Sequence, residues 1–413
     1  MLANLSQDIR QYLFITGNYW AFTLTDGALR MLVVLHFYEL GYSALAIASL
    51  FLFYEFFGVV TNLLGGWLGA RLGLNKTMNI GLGLQIVALS MLLVPADMLT
   101  VIWVMAAQAM SGIAKDLNKM SAKSAVKTLL PKDTGASEAE SQLFKWIAIL
   151  TGSKNTLKGV GFFMGGALLT WLGFTGAIAA MAIALALVFI TSLMVLKKDL
   201  GKAKNKPKFK DLFSKSKAIN MLSAARLFLF GARDIWFVIA LPVFLASQLD
   251  WSHTAVGSFL ALWVIAYGGV QAFAPSLTGK KSGQVPDGKS AFFWAALLTL
   301  SPALIALGLM AELSAVYIVI GGLLVFGVLF AINSSLHSYL IVSYASDDGV
   351  SLDVGFYYMA NAMGRLIGTI LSGWAFQIGG LTLCLWLSSG FLLAASIISL
   401  ALPRHSTHST QEL

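Results

Sequence analysis

Apolar blocks of twenty or more residues recur along the whole chain, separated by short polar turns, and about 20 residues of α-helix cross a bilayer. The alternating pattern of a membrane β-barrel is absent. The periodicity predicts helical spans at 12–38, 43–69, 77–95, 98–124, 143–171, 174–196, 218–247, 254–277, 291–310, 313–342, 354–378 and 380–402. Alternate turns hold no lysine or arginine: Glu39-Leu40-Gly41, Pro95-Ala96-Asp97, Trp171-Leu172-Gly173, Gln248 to His253, Ala311-Glu312 and Gly379-Gly380. The other turns carry Arg71, Lys76, Lys127, Lys132, a dense run from Lys197 to Lys217, Lys280, Lys281, Lys289 and Arg404. Basic loops are retained in the cytoplasm during insertion, so both termini are expected there, in a multi-pass protein of the inner membrane.

The dense basic run divides the chain into a six-helix half at 1–196, a linker at 197–217 and a second six-helix half at 218–413. The halves are weakly alike. An offset of 207 sets Lys154, Lys158, Gly161 and Gly165-Gly166 on Asn361, Arg365, Gly368 and Ser372-Gly373, and an offset of 215 sets Gly112 and Asn118 on Gly327 and Asn333. Near 209, Leu40-Gly41-Tyr42-Ser43 meets Leu249-Asp250-Trp251-Ser252. Two repeated halves around a central site is the plan of a secondary transporter. The expected fold is therefore all-α and polytopic, with twelve transmembrane helices in two pseudo-symmetric halves.

Composition agrees: 58% of the 413 residues are hydrophobic and 11% charged, against about 25% charged in soluble domains. The net charge of +9 is concentrated in the linker, which suits anionic lipid headgroups better than nucleic acid. Met1 to Gln11 is polar, with Asp8 and Arg10, and no cleaved signal peptide is expected. The single cysteine, Cys384, lies in the last apolar block and reads as packing. Phosphate loops, metal-ligand spacings and nucleophile elbows are missing, so neither an enzyme nor a cofactor or resident metal is expected.

Charges inside the spans change the picture most. An ammonium at the centre of an isolated membrane helix costs roughly 2.5–3.5 kcal/mol, yet Lys115 and Lys119 share one face of the fourth span and Lys154 and Lys158 one face of the fifth. The eleventh repeats the design with Tyr357, Asn361 and Arg365, and the seventh places Arg226 and Arg233 seven residues apart. An anionic substrate would balance these charges. Arginine offers a planar fork for phosphate, arsenate or carboxylate, and lysine a mobile point charge. Arg233 and Arg365 lead the candidate binding residues, followed by Lys115, Lys154 and Lys158, with Lys119, Asn118, Asn361, Tyr357, Asn333 and Arg226 completing the set. Lys119 and Lys123 have the alternative of interfacial anchoring by snorkelling. Of the four carboxylates in the spans, Asp26 has Arg30 as a local partner, Asp116 and Asp234 are expected to meet cations on other helices, and Glu55 has no local cation. Glu55 and Asp26, then Asp234 and Asp116, are the candidate proton-coupling groups. His337 reads as a satisfied packing histidine.

The segment Gly65-Gly66-Trp67-Leu68-Gly69-Ala70-Arg71-Leu72-Gly73-Leu74-Asn75-Lys76 resembles the signature loop of the major facilitator superfamily, with Ala70 where the family usually has aspartate. Gly161-Phe162-Phe163-Met164-Gly165-Gly166 resembles the family's antiporter motif, with Phe162 in place of proline. The stretches Phe37-Tyr38-Glu39-Leu40-Gly41, Phe51 to Gly58, Ser111 to Lys119 and Arg226 to Asp234 are similar to the organoarsenical efflux permeases called ArsJ, over nearly the whole chain. That resemblance implies export of 1-arseno-3-phosphoglycerate, made in the cytoplasm by a glyceraldehyde-3-phosphate dehydrogenase, and hence arsenate resistance, with a monomer expected. The alternatives are an exchanger of other organophosphates, a drug/proton antiporter, or a membrane sensor without a transport cycle.

Overall fold

Inside a bilayer every backbone N–H and C=O must find its partner within the protein, which leaves long apolar segments the helix as their economical form. The computed structural model describes residues 7–41, 50–129, 136–196, 200–204, 208, 215–251, 253–278 and 286–404. Its helices are α1 (Gln7–Glu39), α2 (Leu52–Leu72), α3 (Leu74–Met91), α4 (Val101–Leu129), α5 (Ala136–Val195) and α6 (Lys217–Phe237). They continue with α7 (Ala240–Gln248), α8 (His253–Leu277), α9 (Gly288–Met310), α10 (Ala315–Tyr344) and α11 (Val350–Ser399). Among the described residues, six helices are long and apolar enough to cross a membrane by length and composition.

Two of them turn back on themselves. The α5 helix of 60 residues bends at Gly173 (φ 67°), and α11, of 50 residues, bends at Gly379 and Gly380 (φ 61° at the latter). Both positive φ values lie where only glycine is unstrained, and both bends fall on expected turns. With α6 and α7 counted as one broken span, the described helices make twelve crossings. The span expected at 218–247 is present as one candidate crossing, Lys217–Gln248, interrupted at Val238 and Ile239. The cause of the interruption is Pro242, whose ring opposes the carbonyl four residues earlier and supplies no N–H.

One hydrophobic cluster is built on α1, α3, α4 and α5 and extends to Tyr339 of α10 and to Val354 and Tyr357 of α11; a second is built on α6 to α11 around Trp236, Phe326 and Phe330. The two sets of helices therefore meet at one end of the bundle, called here the basic end because it carries Arg71 and Lys76. There the Ser351 hydroxyl donates to the Gly66 carbonyl at 2.9 Å. A Cβ on Gly66 would stand 2.5 Å from the Ser351 carbonyl and 3.0 Å from Gly355 Cα, so only glycine permits this approach of α2 to α11. The Ala203 N–H donates to the Ala70 carbonyl and the Leu74 N–H to the Leu200 carbonyl, both at 2.8 Å, and the Lys204 N–H donates to Asp348 at 2.7 Å. Backbone bonds thus fasten this loop at the position that lacks the signature's aspartate. Lys132, Lys197, Lys280, Lys281, Tyr42, Ser43 and Ser252 lie outside the described residues.

Candidate functional site

Four helices bring arginines and carboxylates into one chain of ion pairs at the middle of the bundle. Glu55 on α2 accepts from Arg30 Nη2 of α1 at 3.3 Å and from Arg365 Nη2 of α11 at 3.2 Å. Arg365 Nε donates to Asp234 of α6 at 3.1 Å, and Arg233 Nε donates to the other oxygen of Asp234 at 2.6 Å. The side chains of Glu55 and Arg365 are each 33% exposed, whereas that of Asp234 is 1% exposed. Asp116, Lys119, Lys123 and Arg226, which lie between this chain and the basic end, are buried. The central group is therefore open toward the opposite end of the bundle.

Lysines border the same space. Lys115 sits 3.7 Å from the Tyr54 ring centroid, and Lys158 5.9 Å from that of Phe162. Glu55 lies within the field of Arg365, Lys115, Arg30 and Lys158, and Lys154 within that of Lys119, Lys123, Lys158 and Lys115. Lys115, Lys154 and Lys158 are half-buried. Among the described residues none of the three has a carboxylate at ion-pair distance. Asp26 is buried and accepts the Tyr54 hydroxyl at 2.9 and 3.1 Å. Six cations (Arg30, Arg233, Arg365, Lys115, Lys154, Lys158) thus surround three carboxylates (Glu55, Asp234, Asp26), and the region carries a surplus of positive charge.

Several sequence expectations are corrected. Glu55 does not stand apart from cations; two guanidiniums hold it. Asp26 does not pair with Arg30, because Arg30 reaches α2 and leaves Asp26 to Tyr54. Asp116 pairs with Lys119 on its own helix at 2.7 Å, one turn away, so Lys119 is a buried ion-pair partner and does not snorkel. Asp234 meets Arg365 from another helix, as expected, but also its neighbour Arg233. Asn118 donates to the Ala114 carbonyl at 2.9 Å and packs beside Gly81 on α3. Asn333 donates to the Trp294 and Leu329 carbonyls at 2.8 and 2.9 Å, in the seam between α9 and α10. Both amide nitrogens are thereby taken up by backbone carbonyls, while both amide oxygens are buried without a hydrogen-bond partner among the described residues. Asn361 accepts from Arg226 Nε at 2.9 Å, and the Tyr357 ring centroid lies 5.2 Å from the same guanidinium. Buried His337 is packed but not satisfied: neither ring nitrogen has a hydrogen-bond partner.

Two residues of the group stand outside the pattern of charges in the spans: Arg30, whose evident partner in sequence is Asp26 on its own helix, and Tyr54. The signal for Tyr54 was its place beside Glu55, which lets one turn of α2 address both Asp26 and Arg30. The seam between α5 and α8, where Asn155 donates to Gln271 and Thr156 donates to the Ile265 carbonyl at 3.3 Å, has no such local signal.

The model of the Major Facilitator Superfamily matches residues 15–286. In structure the chain is similar to the human organic anion transporter MFSD10 (TETRAN), with a TM-score of 0.74 and 15% identity over 96% of this chain and 100% of that one. It is similar to a bacterial homologue of the iron transporter ferroportin in an outward-facing state, with a TM-score of 0.74 and 13% identity over 95% and 98%. The E. coli fucose:proton symporter FucP gives a TM-score of 0.72 and 10% identity over 96% and 99%. No curated protein sequence is matched. At such identities the likenesses carry the fold, and the family model spans well over half of the chain: the protein belongs to the Major Facilitator Superfamily and is a multi-pass membrane transporter.

Proposed function

We propose that the protein exports a small organic anion bearing two phosphate-class groups, with 1-arseno-3-phosphoglycerate as the specific candidate, and so confers arsenate resistance. The carrying observation is the set of three half-buried lysines without carboxylate partners, Lys115, Lys154 and Lys158, beside Arg30 and Arg365. Buried charge lacking a counter-ion is expensive, and an anion with charge at both ends removes that cost at two places. The arginines offer forks to one head, and the lysines close on the other. A drug exporter's aromatic, acidic cavity does not fit this surplus of cations.

In this reading, 1–196 and 218–413 are the two bodies that rock about the central group, the basic end faces the cytoplasm of the inner membrane, and a glyceraldehyde-3-phosphate dehydrogenase supplies the solute. Glu55 is the internal counter-ion, holding Arg30 and Arg365 until the solute displaces it. With Glu55 held by two guanidiniums, displacement by the solute and not protonation frees the arginines, which favours potential-driven export over proton exchange. An inside-negative potential supplies about 2.3 kcal/mol per charge per 100 mV for outward anion movement.

The test uses everted vesicles supplied externally with the dehydrogenase, its cofactor, triose phosphate and labelled arsenate. Uptake of label is expected to require every component. Uptake of arsenate that persists without triose phosphate would exclude the organoarsenical.

A further inference from the structure

Among the described residues, two buried cations, Lys123 and Arg226, lie outside the central group with no carboxylate at ion-pair distance. Lys123 on α4 is 3% exposed and donates to Thr151 Oγ1 at 2.9 Å and to Ser338 Oγ at 3.3 Å. Arg226 on α6, also 3% exposed, donates to Asn361 and, at 3.3 Å, to the Ser334 carbonyl. Ser334 and Ser338 are consecutive turns of one face of α10, so cations from the two sets of helices grip the same stretch of a third element. They are close enough for Lys123 to lie in the field of Arg226. His337, inside that stretch and fully buried, lies in the field of Arg226 and keeps both ring nitrogens unpartnered. The nearest carboxylate described on α4, Asp116, is occupied by Lys119.

Hydroxyls, an amide oxygen and a carbonyl take the donors here, and the rings of Phe230, Tyr357 and Tyr358 face the two cations, but none of these carries the full negative charge that two cations withdrawn from water call for. A cluster assembled only for packing would be cheaper with methionine at both positions. What it lacks is an anion.

Position gives the cluster a role different from that of the central group. Lys123 is eight residues along α4 from Lys115, and Arg226 seven residues before Arg233 on α6. At 1.5 Å per residue the cluster lies roughly 10–12 Å from the central group toward the basic end. A three-carbon acid with two charged heads is about as long as two extended residues, roughly 7 Å, and does not span both. Lys154 stands between, in the fields of both Lys123 and Lys158. The contacts of Lys127 with the Ser343 and Ala345 carbonyls and with Asp347 close the basic end over the cluster.

We propose that Lys123 and Arg226, with His337, form a second anion site for a phosphoryl or arsenyl group, loaded from the basic end when that end opens and emptied through Lys154 into the central group. The site rests on the organic-anion reading above. It makes a prediction of its own, because it is met from one side of the membrane only.

The experiment measures 3-phosphoglycerate transport by the full chain in everted and in right-side-out vesicles, together with the thermal shift of purified protein on adding inorganic phosphate. For Lys123→Met we expect the KM from the basic end to rise at least tenfold, the KM from the other side to move less than twofold, and the phosphate-induced shift to fall by half or more. Lys123→Arg, which keeps the charge, is expected to stay within threefold of the parent. An equal change from both sides, or none, overturns the site. A lower melting temperature of Lys123→Met with an unaltered KM would also overturn it, by making the lysine a structural tie. A parent protein that moves no 3-phosphoglycerate narrows the solute to anions with two phosphate-class groups and leaves the organoarsenical uptake test to judge that reading; the phosphate shift and its reduction in Lys123→Met then decide the site alone.

Discussion

Glu55 is held by two guanidiniums from opposite sets of helices while a third of its surface meets solvent. A carboxylate so placed does to the arginines what an anionic solute would do. Replacing it by glutamine keeps the shape and removes the competitor. In vesicle uptake, Glu55→Gln is expected to lower the KM for the anion about three- to tenfold and to slow turnover, because the empty carrier then has no internal counter-ion for its return. A raised KM would show that Glu55 supports solute binding. The pairing was not legible in the sequence: Arg30 is 25 residues from Glu55 and Arg365 is 310 residues away, and no local pattern joins them. The lysines were legible, because ammonium groups inside apolar spans stand out whatever their partners. The carbonyl partners of Asn118 and Asn333 were not legible, since an amide nitrogen on the cationic face bonds as readily to a backbone carbonyl.

At the level of elements, glycines decide where helices turn and where they touch. The spans followed from apolar length, and the bends in α5 and α11 from Gly173 and Gly379-Gly380, because both signals are local. The break between α6 and α7 was legible in principle from Pro242, yet the apolar run around it masked the signal. Gly173→Ala places a side chain in a positive-φ, extended-ψ conformation open essentially only to glycine, at a cost of about 1–3 kcal/mol, and a lowered melting temperature with retained transport is expected. Gly66 is different, because the obstacle is the backbone of α11. Gly66→Ala is expected to hold the basic end open, reduce transport at least tenfold, and speed labelling of a cysteine placed at Ser338 from that end. Unchanged labelling would mean that α2 and α11 need not approach so closely.

For the whole molecule, buried contacts lock the basic end while the central arginines and lysines remain half-exposed, an arrangement that offers the surplus charge to the opposite side. Among the described residues, Lys115, Lys154 and Lys158 are the part of that surplus with no carboxylate at ion-pair distance. If they receive the solute, each forms a charge-assisted contact, worth about 1.5–3 kcal/mol, or roughly tenfold or more in affinity. The direct measurement is the concentration dependence of organic-anion uptake into everted vesicles at fixed membrane potential, for the parent and for Lys115→Met, Lys154→Met and Lys158→Met. At least a tenfold rise in KM for each variant present at normal levels in the membrane is the predicted result; an unchanged KM in all three would contradict an anion held by these lysines.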